Sequence, residues 1–338
     1  VRLNHQAWGQ SVTAKIWDHF DVLLADLDGV IYEGKNAIAG APQALSQLAE
    51  MGIPIGFVTN NSSRTSEAIV EQLSGFGVVA EPADVIGSGK IGVDLLASLI
   101  EPGSKVLVVG GAGLRERVVQ GGFQLVSSSD DQPAGVIQGF APDVSWRDLA
   151  EAAFSIQAGA KWVATNSDWT LPQEKGLAPG NGTLVSAVHT AVGQLPLVAG
   201  KPEPAIFQAA VDHFDAKSPL FVGDRIDTDI TGANRAGIPS ALVMTGVSTR
   251  KEVLGVKPEG RPAFILESLM ELVQGYEAPR AVAGGFECLD ARIELRNNVM
   301  KLVSGKPKGI GALRAACAAI YSSPVPIYGL NIPAELYE

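Results

Sequence analysis

Residues 21–32, DVLLADLDGVIY, form an apolar run that ends in two aspartates and a glycine, the mark of a buried strand with a polar terminus. Helical spacing follows in APQALSQLAEMG (41–52), which closes on Gly52. A second apolar run comes next, IPIGFVTNN (53–61), and then a second helical stretch, SRTSEAIVEQLSGFG (63–77). Strand, helix, strand, helix implies a parallel sheet with right-handed crossovers. The pattern resumes with LPLVAGK (195–201), PAIFQAAVDHF (204–214), SPLFVGD (218–224), TDITGANRAG (228–237) and IPSALVMTG (238–246). A last strand-like piece, PAFILESL (262–269), leads into ELVQGY.

Between these halves lies another αβ stretch, with KVLVVGG (105–111), GVIQGF (135–140), WRDLAEAAFSIQAG (146–159) and KWVATN (161–166). It closes on a proline- and glycine-rich loop, LPQEKGLAPGNG (171–182). The expected architecture is α/β, a doubly wound parallel-sheet (Rossmann-like) core with an inserted α/β cap and a small C-terminal extension. The core takes 1–83 and 180–275, the cap 84–179 and the extension 276–338.

Composition narrows the class. Hydrophobic residues are 46% and charged residues 18% of 338, which fits a packed domain protein rather than a disordered chain. Twenty-six basic against 36 acidic residues give a formal charge of −10 and a pI near 5.0, with no basic run. Nucleic acid and anionic membrane surfaces are therefore not expected partners. No apolar stretch approaches the roughly 18 residues of a membrane span, and the opening VRLNHQAWGQS has no signal-peptide core. Cys288 and Cys317 alone exclude a disulfide framework or a multi-cysteine zinc site. His5, His19, His189 and His213 show no ligand spacing. The expected setting is the reducing cytoplasm, with a homo-oligomer left open.

Four short signals fall where buried strands end: DLDG with Asp26 and Asp28, TNN with Thr59, Asn60 and Asn61, GKPEP with Lys201, and GDRIDTD with Asp224, Asp227 and Asp229. Open parallel sheets bind ligands outside the carboxyl ends of their strands. Asp26 and Asp28 share a face at strand spacing and repel unless a cation lies between them. Carboxylates for a hard cation, a lysine and neutral donors together suit Mg²⁺ with a phosphate. Singly, each has a plainer explanation as a helix cap, a solvated charge or turn chemistry.

DLDGV, TNNS, GKPEP and GDRIDTDI resemble, in order and spacing, the four motifs of the haloacid dehalogenase superfamily. The similarity covers about 20 to 275 and is nearest to the phosphatase branch with a large αβ cap, the NagD, 4-nitrophenyl phosphatase and phosphoglycolate phosphatase group. Within that branch the chain is most similar to actinobacterial glycerol-3-phosphate phosphatases. The resemblance implies Asp26 as nucleophile, Asp28 as general acid and base, and Mg²⁺ held by Asp26, the Asp28 carbonyl and Asp224. It further implies Thr59, Asn60, Asn61 and Lys201 on the phosphoryl oxygens, and Asp229 orienting Asp224 or Lys201. An Asp at position 28 favours a phosphatase or phosphomutase over a dehalogenase or transport ATPase. The implied reaction is hydrolysis of a small phosphate monoester, glycerol 3-phosphate foremost, with phosphoglycolate or a nucleotide monophosphate as alternatives. The loop 166–178, with Asn166, Asp168, Trp169 and Lys175, is expected to meet the leaving group.

Other patterns weigh less. GSGKIG (87–92) matches a dinucleotide fingerprint but is expected to lack a well-formed preceding strand. VLVVGGAGLRE, with Asp130 downstream, imitates one better, yet Glu116 occupies the third glycine position. In the tail, KPKGIGALRAACAAIY (306–321) resembles the pyrophosphate loop of GCN5-type acetyltransferases, with Lys306 where that pattern has Arg or Gln. A packing or dimerisation module is the preferred account of it. Two rival classes stand beside the phosphatase: a phospho-accepting receiver, disfavoured by the insertion and Asp28, and a phosphatase-like binding or regulatory protein acting through its tail.

Overall fold

The structure is a computed structural model that describes residues 13–14, 16–173 and 175–338; VRLNHQAWGQS with its His5 lies outside the described residues. The backbone forms two compact units, Val1–Ile55 with Ala216–Glu338, and Gly56–Asp215.

The first unit opens with β1 (Thr13–Ala14) and β2 (Val22–Ala25), then the short antiparallel pair β3 (Tyr32–Glu33) and β4 (Asn36–Ala37), then α1 (Ala41–Glu50). Ala41, Ala44, Leu45 and Leu48 give α1 one buried face at helical spacing, and Pro42 sits in its first turn.

The second unit carries β5 (Ile55–Thr59), α2 (Ser66–Gly75), β6 (Val85–Gly87), α3 (Ser88–Ala97), β7 (Lys105–Val109), α4 (Ala112–Gln120) and β8 (Gln124–Val126). It continues with β9 (Gly135–Gln138), α5 (Trp146–Gln157), β10 (Lys161–Ala164), β11 (Thr170–Gln173), β12 (Gly176–Pro179), α6 (Asn181–Val192), β13 (Leu197–Val198) and α7 (Pro204–His213). β6 runs parallel to β5 and leads directly into α3, so GSGKIG does have a strand before it, contrary to expectation. Five parallel strands in the order β13-β10-β9-β7-β8 make a second sheet. One face is packed by α5 and α6 through Leu107, Val136, Trp162, Ile156 and Val188. The strand before Lys201 is thus two residues long and pairs with β10. The stretch 171–182 is no plain loop either: β11 and β12 form a hairpin, and Asn181 starts α6.

The first unit resumes with β14 (Pro219–Gly223), α8 (Thr231–Arg235), β15 (Ser240–Val243), α9 (Arg250–Gly255), β16 (Phe264–Leu266), α10 (Glu271–Gln274) and β17 (Tyr276–Glu277). β16, β15, β14 and β2 are successive parallel neighbours, and β17 pairs with β1. Every residue of β2, β14 and β15 is buried, as expected for parallel strands covered on both faces. A π-helical turn, Ile226–Ile230, precedes α8, where the sequence reads as one helix from 228.

Residues 276–338 add the antiparallel meander β18 (Arg280–Val282), β19 (Gly285–Cys288), β20 (Ala291–Arg296) and β21 (Val299–Ser304), followed by α11 (Ile310–Ser322). Residues 310–320 of α11 are all buried, between β19 and β20 and α9. Leu313, Ala316, Cys317 and Ile320 join Leu242, Val253, Leu254 and Ile265 in one apolar cluster. Arg314, 1% exposed, donates to Ile265 O (2.7 Å), pairs with both Glu271 oxygens (2.6 and 2.7 Å) and stacks on the Tyr276 ring. A Cβ at Gly311 would press into the Cys288 carbonyl, so this glycine serves close helix–strand packing.

Candidate active site

In the first unit, the register Leu24↔Phe221 and Ala25↔Val222 brings the ends of β2 and β14 level, and Asp26 N–H donates to Val222 O at 2.8 Å. Asp26, Asp224 and Asp229 therefore converge: each is buried, and one carboxylate oxygen from each lies within 4.8 Å of the others. Asp229 Oδ2 accepts from Asp224 N–H (3.2 Å) and Arg225 N–H (3.0 Å), pinning the backbone that presents Asp224. Asp224 Oδ2 accepts from Val247 N–H at 2.7 Å. Gly29 (φ +79°) and Gly246 both abut the Asp224 carboxylate, and a Cβ at either would collide with it. Thr245 Oγ1 donates to Gly29 O (2.7 Å) and ties the two glycine turns together. Three buried carboxylates in a cradle that excludes even a methyl group are a hard-oxygen donor set suited to Mg²⁺ or Ca²⁺.

Asp28, two residues on, is exposed, and its backbone bridges to Tyr32. Asp227 is exposed as well and pairs with Arg225 at 2.8 Å while accepting from Thr228 N–H. Desolvation raises its carboxyl pKa, but the hydrogen bonds and charge of Arg225 outweigh this and hold it below the ordinary aspartate value.

The second unit assembles the neutral donors and the lysine. Thr59 ends β5 buried, and its Oγ1 accepts from Asn61 N–H (3.0 Å), while Asn61 Oδ1 accepts from Ser63. Asn60 is the hub. Its Oδ1 accepts from Lys201 N–H (2.8 Å), and its Nδ2 donates to Lys201 O (3.1 Å) and to the Asp168 carboxylate (3.1 and 3.2 Å). Its own carbonyl accepts from Ser88 Oγ (2.8 Å) and Asn166 Nδ2 (2.7 Å). Lys201, 2% exposed, is held at its backbone by that amide, and a Cβ at Gly200 would strike Asn60 Oδ1.

The residues of the four strand-end motifs fall into these two groups, with Asp28 and Asp227 at the exposed margin of the first, whereas Trp169 and Lys175 are exposed and join neither. Sequence reasoning missed Gly246 and Val247, which cradle Asp224, and Ser88 and Asn181, which brace the second group. The signals were present: a threonine–glycine pair after the strand IPSALVM, and the polar residue opening a helix in each of VIGS and PGNG. His189 contacts Gln194 O and His213 meets the Phe214 ring edge to face, in local roles.

A haloacid dehalogenase-like hydrolase family model matches residues 23–124, and a HAD-hydrolase-like model matches 198–272. A D-glycerol 3-phosphate phosphatase of Mycobacterium tuberculosis is 45% identical over 254 residues, 75% of this chain and 71% of that protein. The chain belongs to the haloacid dehalogenase-like hydrolases. An acid sugar phosphatase of Staphylococcus saprophyticus is 34% identical over 77% of this chain and 99% of its own length. Among solved structures, a glycerol phosphate phosphatase from Mycobacterium tuberculosis in complex with magnesium superposes with a TM-score of 0.84 at 38% identity, covering 96% of this chain and 95% of that one. A 4-nitrophenylphosphatase from Thermotoga maritima gives 0.70 at 27% identity, over 76% and 98%. The parallel-sheet α/β fold expected of this hydrolase family is therefore the one observed. Among the described residues no helix is long and apolar enough to cross a membrane.

Proposed function

We propose that this hydrolase is a Mg²⁺-dependent phosphatase of small phosphate monoesters, with glycerol 3-phosphate as its preferred substrate. The observation that carries the reading is the buried triple of Asp26, Asp224 and Asp229 at the ends of β2 and β14. The choice of ester is supported by the activity named for the mycobacterial relative.

In this mechanism an Asp26 carboxylate oxygen attacks phosphorus in line, forming an acyl–phosphate P–O bond as the ester P–O bond breaks. Asp28, exposed beside it, gives its proton to the departing alkoxide. It then takes a proton from the water that hydrolyses the aspartyl-phosphate, which restores Asp26 and releases phosphate. The Asp26 and Asp224 carboxylates and the Asp28 carbonyl would hold Mg²⁺, which would supply the positive charge that lets a carboxylate meet a phosphate dianion. Asp229 fixes the Asp224 backbone. Thr59, the Asn60–Asn61 segment and Lys201 take the phosphoryl oxygens.

The reading divides the chain by role into a catalytic core of 1–83 and 180–275, an inserted cap of 84–179 and an extension of 276–338. The exposed Trp169 and Lys175, either side of β11, suit contact with a leaving group. Two buried free thiols suit a reducing cytoplasm. The test is phosphate release from glycerol 3-phosphate, phosphoglycolate, a nucleotide monophosphate, pyridoxal phosphate and 4-nitrophenyl phosphate, with Mg²⁺ and with chelator. Metal-dependent turnover ranked highest for glycerol 3-phosphate supports the proposal. A different ester at the top moves the substrate, and no turnover on any ester removes the phosphatase reading of the site.

A further inference from the structure

Asp168, just before the β11–β12 hairpin, and Lys201, three residues after β13, are joined by one side chain. Asn60 Nδ2 carries two hydrogens; it reaches Lys201 O at 3.1 Å and both oxygens of Asp168 at 3.1 and 3.2 Å, while Asn60 Oδ1 accepts from Lys201 N–H at 2.8 Å. An amide that chelates both backbone groups of one residue fixes where that residue's side chain originates. The Asp168 carboxylate takes the remaining Nδ2 hydrogen and so reinforces the flip that the Lys201 N–H and carbonyl require.

Asp168 is itself anchored from behind. Gly182 N–H donates to Asp168 O and Gly180 N–H to Trp169 O, each at 2.9 Å, and Thr183 Oγ1 donates to Trp169 O at 2.8 Å. A Cβ at Gly180 or Gly182 would collide with the Asp168 or Ser167 carbonyl, which explains two glycines at the start of α6. Asn181 Nδ2 holds Asn166 O (2.8 Å), and Asn166 Oδ1 accepts from Asp168 N–H (3.2 Å). A residue serving only as a flexible contact to a substrate's alcohol would not be built into the fold from both sides.

We infer that Asp168 is a positioning residue for Lys201, acting through the Asn60 amide on phosphoryl binding rather than by selecting the leaving group. The inference rests on the phosphatase reading of the site. Its consequence is distinct: losing the Asp168 carboxylate harms the part of the reaction common to all esters, whereas losing a leaving-group contact would harm some esters and spare others.

The experiment is kinetics of D168A, D168N, N60A and the D168A/N60A pair on glycerol 3-phosphate, phosphoglycolate and 4-nitrophenyl phosphate, with thermal melting to verify folding. Binding of orthophosphate by calorimetry accompanies it, since that needs no turnover. The expected result is a loss in kcat/KM of at least about tenfold in D168A, equal across the three esters. Orthophosphate affinity falls in parallel, D168N recovers most of the loss because its Oδ1 still accepts from Asn60, and the double variant is no worse than N60A. Losses that differ tenfold between esters, additive losses in the pair, or unchanged orthophosphate affinity would each overturn the inference. If N60A fails to fold, the uniformity across esters and the D168N rescue decide it. A wild-type chain that hydrolyses none of the esters but binds orthophosphate would sink the phosphatase reading and leave the D168A effect on that binding to judge this one.

Discussion

Gly246 lies against the Asp224 carboxylate so closely that no side chain fits between them, and the next N–H, that of Val247, donates to the same Oδ2 at 2.7 Å. G246A therefore displaces a carboxylate proposed to bind metal without changing any ligand. The expected outcome is a rightward shift in the Mg²⁺ concentration for half-maximal phosphate release, with reduced Mg²⁺-induced thermal stabilisation. Unaltered metal dependence would show that Asp224 is not held where the metal binds.

Asp26 is buried and held by Val222 at the end of a fully buried strand. D26N keeps its shape and removes its nucleophilicity, so turnover should fall to background with the melting temperature nearly unchanged. The measurement is phosphate release from freshly prepared protein, with mass spectrometry to exclude deamidation. Normal turnover in intact D26N would remove the nucleophile assignment.

For Asp28, the leaving group is the probe. An alkoxide needs a proton and a nitrophenolate does not, and kcat/KM reports only the steps through phosphoryl transfer. D28N should lose about 10²–10⁴-fold in kcat/KM on glycerol 3-phosphate and markedly less on 4-nitrophenyl phosphate. Equal losses on the two would place Asp28 outside leaving-group protonation.

Arg314 inserts a guanidinium between β16, α10 and the Tyr276 ring. R314M takes the guanidinium from the Glu271 carboxylate, which keeps the Glu267 N–H, and breaking such a pair costs about 3 kcal/mol. Urea unfolding should show a lower midpoint at unchanged slope. A midpoint within error of wild type would mean that the pair contributes nothing net.

Burial pushes the Cys288 thiol up to about 11 and the Cys317 thiol up to about 12, from an ordinary 9.0. The folded chain keeps both protonated where the unfolded chain would ionise them. Stability from this source is complete below about pH 9 and drains away as pH rises through the folded values. Neither thiol should react with a maleimide at pH 8 unless denaturant is added; rapid labelling of native protein would contradict the burial of both.

The strand-end carboxylates were legible in the sequence because an apolar run that stops at an aspartate states both the strand and its polar end. Lys201 was legible as a residue but not as a location. LPLVAG cannot say which sheet it joins, and only pairing with Val163 and Ala164 puts it beside β10. The 171–182 stretch reads as loop from its prolines and glycines, yet a two-stranded ribbon has outward positions where a proline's missing N–H costs nothing. Gly180 and Gly182 are there because the Asp168 backbone passes too close for any Cβ. Helix α11 carried little amphipathic signal because it is covered on two sides.

The order of synthesis gives the tail a further consequence. Residues 56–215 form a continuous unit, while the unit that holds Asp26 is made from both ends of the chain, with β1 paired to β17 and the apolar cluster around Leu242 and Ile265 filled by α11. Residues 310–320 are synthesised after β15 and β16, so Leu242 and Ile265 wait for a lining that does not yet exist. Cutting the chain after 275 would not yield a leaner enzyme; it would leave Leu242, Val253 and Ile265 open to water and turn a latecomer's absence into an aggregation hazard.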